Sequence, residues 1–284
     1  MPTEALELIA EEAEGKAGTK RVRFARRPDT QLALGMASGM TEVCLLQPTV
    51  AVKNAWQQGR ALSLSPSFLY RGLAVNCASY GPITAVQFGV DRFVDQTFVT
   101  AAMRRDAPVT AQLGCAAVSG VASALIAGPA ELVMTQQQRT GAALGAQTRA
   151  LVSEHGAAVL ARGFGTCAAR DGLYAVGYLG VHPLVEGAVR RDLGMEQPAT
   201  FAVAGLVSGV LTAAVTQPFD TLKTVVQGKL VGVRDALRDV TSRGGVSMLW
   251  AGLAPRTARI VAATYILVGI KSKVTEMLLA VDAP

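Results

Sequence analysis

Three copies of one proline-centred segment are spread along this chain, and no other feature limits its fold as tightly. The copies read QPTVAVKNAWQ, GPAELVMTQQQ and QPFDTLKTVVQ, with Pro48, Pro129 and Pro218 in equivalent positions. Nine residues before each proline stands a glycine (Gly39, Gly120, Gly209), and thirteen before stands a small residue (Gly35, Ala116, Gly205). Nine after stands a glutamine: Gln57, Gln138 and Gln227. A second glycine, Gly72, Gly163 or Gly252, follows each copy and opens another apolar run. Small residues four apart share a helical face and let two helices approach closely. A proline inside an apolar helix removes an N–H and crowds the preceding turn, so it bends the helix. Three bent helices in equivalent places would converge on one face and enclose a cavity.

The runs around these anchors have the length of bilayer-crossing helices, about 18–25 residues. Gly72–Val90, Ala107–Ala130 and Pro198–Phe219 carry no charge. Gln31–Val52 holds only Glu42, Phe164–Val185 only Arg170 and Asp171, and Leu253–Ile270 only Arg256 and Arg259. Only 17% of the chain is charged and its mean hydropathy is +0.33, against about 25% charge in a soluble domain. The predicted fold is an all-α membrane protein. Six transmembrane helices form three tandem two-helix repeats (residues 30–98, 107–190 and 198–280) with pseudo-threefold symmetry around a central cavity.

Residues 1–29 begin acidic (Glu4, Glu7, Glu11, Glu12, Glu14) and turn basic (Lys16, Lys20, Arg21, Arg23, Arg26, Arg27). That order suits neither a secretory signal nor a transit peptide. It reads as a disordered tail whose basic end can rest on anionic lipid. The net charge of +6 admits nucleic acid, anionic lipid or an anionic solute; without basic–aromatic interleaving, nucleic acid is the weakest of the three. Cys44, Cys77, Cys115 and Cys167 lie in apolar stretches without a C-x-x-C spacing and read as buried small residues, with no disulfide or metal. His155, in a polar loop, and His182, beside Pro183, have no acid or nucleophile at a useful spacing. No cofactor and no enzyme chemistry are expected, and an intramembrane protease lacks its Ser–His arrangement.

At its prolines, from about residue 30 to 280, the chain resembles the mitochondrial carrier family, whose odd helices bear P-x-[DE]-x-x-[KR] and then glutamine. Pro218, Asp220 and Lys223 match in full; Pro129 and Glu131 are followed by Met134, and Pro48 and Lys53 flank Val50. The resemblance implies cyclic pairing of each acid with the next repeat's cation: Glu131–Lys223, Asp220–Lys53, and Val50 facing Met134. Removing one partner would strand a desolvated charge, whereas removing both is tolerable. A two-bridge matrix gate braced by Gln57, Gln138 and Gln227 is therefore expected, opening more easily than one with three bridges. On the even helices the same rule implies a cytoplasmic gate of Arg92–Glu186 and Asp95–Lys271, with Pro183 facing Val274. Helix-end charges in the headgroup zone are the plainer reading of those four.

The resemblance further implies cardiolipin sites at Tyr70-Arg71-Gly72, Ala161-Arg162-Gly163 and Trp250-Ala-Gly252. A lipid phosphate would meet a helix N-terminus there. The segment Gln58 to Leu69 is too short to expect a complete surface helix. Arg170 and Arg259 stand seven residues past Gly163 and Gly252, where the family places substrate contacts; Ser79 and Tyr80 are the matching residues of the second helix. Ionisable residues inside a span are functional candidates, and arginine's fork suits carboxylate. Asp171 beside Arg170 resembles the pairing in family members that move amino acids, so the resemblance implies a small carboxylate-bearing substrate, an amino acid or a 2-oxo, di- or tricarboxylate, with nucleotides disfavoured. Asp171 has Arg170 or Arg256 as alternative partners; Glu42 and Gln87 are weaker candidates. The implied activity is alternating-access transport, by exchange, in the mitochondrial inner membrane, as a monomer. The alternative is a non-transporting adaptor or structural protein built on the same fold.

Overall fold

The computed structural model describes residues 28–80, 82–83, 109–195, 199–263 and 266. Four of the six apolar runs form long helices: α1 (Pro28–Gln57), α4 (Val109–Thr140), α6 (Phe164–Leu193) and α7 (Ala199–Lys229). The other two runs start as helices directly after their glycines, α3 over 73–80 and α9 over 253–263. Between them lie α2 (Pro66–Leu69), α5 (Leu144–His155) and α8 (Val233–Ser242). Short 3₁₀ turns, Ala157–Ala161 and Val246–Trp250, precede α6 and α9. No strand occurs among the described residues.

The long helices contain 30, 32, 30 and 31 residues. At about 1.5 Å per residue they exceed the roughly 30 Å of a bilayer's hydrocarbon, so their polar ends can project beyond it. Two stretches, Ala116–Thr140 and Ala199–Lys229, are long and apolar enough to cross a membrane.

Polar side chains are buried as often as apolar ones among the described residues, and large apolar ones face outward. Gln47, Gln57, Gln217, Gln227 and Lys223 are among the largest fully buried side chains, while Leu45, Leu125, Leu184, Leu211 and Val215 are exposed. Buried amides under an apolar exterior are expected where the surrounding solvent is lipid.

Both sets of glycines make contacts that repeat three times. Within each repeat, a Cβ on Gly39, Gly120 or Gly209 would meet the Tyr80 ring, the Asp171 carbonyl or Ile260 Cγ2 at 3.0 Å or less. Tyr80, Asp171 and Ile260 each stand eight residues past the second glycine, so the odd and even helices cross at one level. Between repeats, Gly72 packs on Met134, Gly163 on Gln227 and Gly252 on Lys53. Those glycines have φ of +81°, +82° and +80°, a conformation costly for any other residue. The contacts run from each repeat to the next, and from the third back to the first.

The helix starting at Pro28 takes two residues from the expected tail; residues 1–27, with Cys115's side chain, Gln87, Arg92, Asp95, Lys271 and Val274, lie outside the described ones. Two expectations need correction. Cys44 is exposed and Cys77 half-buried, leaving Cys167 buried, because Cys44 points outward from α1. His155 ends α5 rather than lying in a loop. The polar composition around it reflects a surface helix. The segment Gln58 to Leu69 forms no complete surface helix, as its shortness implied: only the four residues of α2 are helical where α5 and α8 stand in the other repeats.

Candidate functional site

Just past each proline, the C-terminal halves of α1, α4 and α7 bring their charged residues together. Lys53 Nζ lies 2.9 Å from Asp220 Oδ2, and Lys223 Nζ 3.0 Å from Glu131 Oε2. Both are the pairs implied by the cyclic rule. Lys223 and Asp220 side chains are each only 2% exposed, so either charge left alone would be strongly destabilising. Val50 and Met134 meet in an apolar cluster with Val75, Leu132, Val133, Leu151 and Val159.

One residue joins this group from the even helices. Arg170 on α6 grips Glu131 bidentately, with Nη1 and Nη2 each 3.0 Å from a carboxylate oxygen. Its Nη1 also reaches Asp220 Oδ1 at 3.2 Å and its Nε reaches Asp171 Oδ1 at 2.8 Å. Nη2 further approaches Cys167 Sγ at 3.4 Å. Lys53, Lys223 and Arg170 thus balance Glu131, Asp171 and Asp220 within one network. Asp171 is taken by Arg170. Arg256 instead donates to Gln217 Oε1 at 3.0 Å and Thr216 Oγ1 at 2.9 Å, with Tyr174 beneath its guanidinium.

The three glutamines diverge. Gln57 donates to Asp220 Oδ2 at 2.8 Å and braces an ion pair. Gln138 accepts from Asn54 Nδ2 at 2.6 Å and donates to the Arg71 carbonyl; the equivalent of Asp220 on its neighbour is Val50, which offers no acceptor. Gln227 donates to the Gly128 carbonyl at 3.1 Å, Glu131 being already engaged by Lys223 and Arg170.

Higher in the helices, Arg259 Nη2 lies 3.0 Å from Glu42 Oε1, joining α9 to α1. Arg259's side chain is 37% exposed, against 10% for Arg170. Ser79 donates to the Asn76 carbonyl of its own helix, and Tyr80 lies against Gly39. Towards the far end of α6, Glu186 lies 3.8 Å from His182 and 3.6 Å from Arg190. Arg92, Asp95 and Lys271, its expected companions, fall outside the described residues.

Two of the motif arginines are occupied. Arg162 donates to the Leu230 carbonyl just past α7, and Arg71 packs over the Phe68 ring and against Gly141. Arg243 donates to the Gln57 carbonyl at 2.9 Å, and Arg60 approaches the Arg139 carbonyl at 3.5 Å. Arg60, Arg162 and Arg243 each cap the odd helix of the next repeat, where carbonyls lack intrahelical donors. The spans showed no sign of this, because the acceptors are backbone atoms 68 to 186 residues away. Arg170's place in the network was likewise illegible, since nothing in the spacing tells how far its side chain descends.

Comparison with known proteins gives this geometry a context. The family described as Mitochondrial carrier protein matches residues 196–281. S-adenosylmethionine carrier 1, chloroplastic/mitochondrial, of Arabidopsis thaliana is 30% identical over 234 residues, covering 78% of this chain and 70% of the relative. The mitochondrial dicarboxylate/tricarboxylate transporter of the same plant is 25% identical over 255 residues, 80% of this chain and 86% of that protein. The mitochondrial electrogenic aspartate/glutamate antiporter of Mus musculus is 27% identical over 203 residues, 67% of this chain but 29% of the much longer relative.

Proposed function

This chain belongs to the mitochondrial carrier family, and from that membership we propose that it exchanges a small carboxylate-bearing metabolite, most simply one with an amino-acid head group, across the mitochondrial inner membrane. Its relatives are solute transporters, not enzymes. The architecture proposed is six transmembrane helices in three repeats, 30–98, 107–190 and 198–280, around a central cavity.

The observation that carries the substrate class is the Arg259–Glu42 pair. A half-exposed guanidinium held 3.0 Å from a carboxylate offers opposite charges to a solute that carries both. The solute's carboxylate would replace Glu42 at Arg259, and its ammonium would replace Arg259 at Glu42. Such an exchange keeps every charge paired, which a site within a membrane requires. S-adenosylmethionine, aspartate and glutamate all carry this head group; di- and tricarboxylates, named for another relative, would leave Glu42 opposed. Tyr80, against Gly39 one turn from Glu42, and Ser79 would line the same level, with Arg170 and Asp171 at its floor.

Alternating access follows from two ionic closures. Lys53, Glu131, Asp220, Lys223 and the glutamines would close the matrix side. Arg92–Glu186 and Asp95–Lys271 would close the cytoplasmic side once the first opens. A solute drives this only by binding the transition arrangement better than either closed state. Cardiolipin phosphates would meet the N-termini of α3, α6 and α9 after Gly72, Gly163 and Gly252. With Arg71 and Arg162 engaged elsewhere, backbone N–H groups carry that contact. The protein acts as a monomer in this reading.

The test is uptake of labelled glutamate, S-adenosylmethionine and oxoglutarate into cardiolipin-containing vesicles preloaded with amino acids or carboxylates. Uptake of an amino acid that needs an internal counter-solute is expected, with Arg259→Ala reducing it at least tenfold. Glu42→Gln should impair amino acids more than oxoglutarate. Equal loss for both would remove the zwitterion argument.

A further inference from the structure

We propose that Arg170 is a third cationic strut of the matrix-side closure, reinforcing the α4–α7 side from an even helix while the α1–α4 corner of Val50 and Met134 stays apolar. The proposal rests on the transport reading above and gives one of its residues a more specific task.

Two intact pairs would leave the closure with one apolar corner, formed by Val50 and Met134. The structure supplies a third cation from an even helix. Arg170 touches the acids of two repeats at once, Glu131 on α4 and Asp220 on α7, and so adds α6 to the α4–α7 seam that Lys223 and Glu131 join, while Lys53 holds α1 to the same Asp220. An arginine has five N–H donors. All five are used: Nε on Asp171, Nη1 on Glu131 and Asp220, Nη2 on Glu131 and Cys167. No donor is left for a solute unless one of these contacts breaks.

Arg259 shows why the strut is single. It occupies the same place in the third repeat, seven residues past its glycine. The equivalent acids for it would be Asp220 and residue 50. Asp220 is already bound by Lys53, Gln57 and Arg170, and residue 50 is valine. Arg259 turns instead to Glu42, two turns nearer the N-terminus of α1. The loss of one acid thus divides the work of two equivalent arginines: one locks the floor and the other faces the cavity.

Cys167 is a native reporter, fully buried and 3.3 Å from Glu131 Oε2. With Cys44, Cys77 and Cys115 changed to alanine, reconstituted full-length protein is exposed to a membrane-impermeant maleimide on the face bearing α5 and α8. Arg170→Gln is expected to raise the labelling rate of Cys167 at least fivefold. Adding Val50→Asp with Met134→Lys should return it to within about twofold of the parent, since both changes lie on α1 and α4 rather than beside the thiol. Arg170→Lys keeps the charge but cannot span Glu131 and Asp220, and should fall between parent and Arg170→Gln; it and its rescue serve as the measurement if Arg170→Gln does not fold. Unchanged labelling in both Arg170 variants, or no rescue by the restored pair, overturns the proposal. Uptake by the parent protein is scored in the same vesicles: its absence would remove the transport reading and leave the labelling comparison to be judged by itself.

Discussion

Pro218 lacks the N–H that would bond the Ala214 carbonyl one turn earlier. The Trp250 indole donates to that carbonyl at 3.0 Å, and the neighbouring Ala213 carbonyl receives Arg256 Nη1 at 3.4 Å. Membrane helices tolerate proline where side chains restore the freed bonds. Trp250→Phe keeps an aromatic side chain but removes the donor together with part of the indole's bulk. It should destabilise the protein by about 1–2 kcal/mol, read as a lower thermal midpoint in detergent, with substrate selectivity unchanged. The prolines themselves were plain in the sequence. Their satisfaction was not: Trp250 lies 36 residues from Ala214, and the first and second repeats place Tyr70 and Ala161 at the corresponding position. Likewise the acid and base past each proline were legible as pairs, whereas Arg170's descent onto both acids depends on side-chain length and helix level, which the pattern leaves open.

Among the elements, the odd helices end on contacts that the following repeat provides. Gly252 begins the turn into α9 at φ +80°, where an added Cβ would lie 2.9 Å from Lys53 Cγ and 3.2 Å from Gln57 Cγ. Gly252→Ala should cost on the order of 1–2 kcal/mol from backbone conformation alone, with further loss from displacing Lys53. Gly145→Ala, in α5 with open space around its Cα, is the control and should leave the midpoint unchanged or slightly raised. The long helices follow from uninterrupted apolar runs. The surface elements were less readable, because α5 and α8 are short and α8 gains its place from side-chain contacts: Asp239 takes Lys229 and Arg243 at 2.6 Å each, and Arg243 then reaches the Gln57 carbonyl. Burial of the Asp239 carboxyl would push it upward, but Lys229 and Arg243 outweigh that and hold it below the usual carboxylate range.

For the whole molecule, the closed chain of repeats sets how readily the closure opens. Val50→Asp with Met134→Lys, made with Arg170 intact, adds a bridge to a network already joined at three acids. Uptake should slow several-fold and the thermal midpoint rise; faster uptake would mean that closure does not limit the rate. The same cyclic order has a consequence for how the protein is made. Lys53 stands 167 residues before Asp220, its counter-ion in the third repeat. Until the third repeat is in place its ammonium is either unpaired in a lipid-facing hairpin or held back at the water interface. A lone lysine at mid-bilayer costs about 2.5–3.5 kcal/mol, so the interface is the cheaper waiting place. The first hairpin should then settle to its full depth only when the third arrives, making completion of the C-terminal repeat the step that commits the N-terminal one.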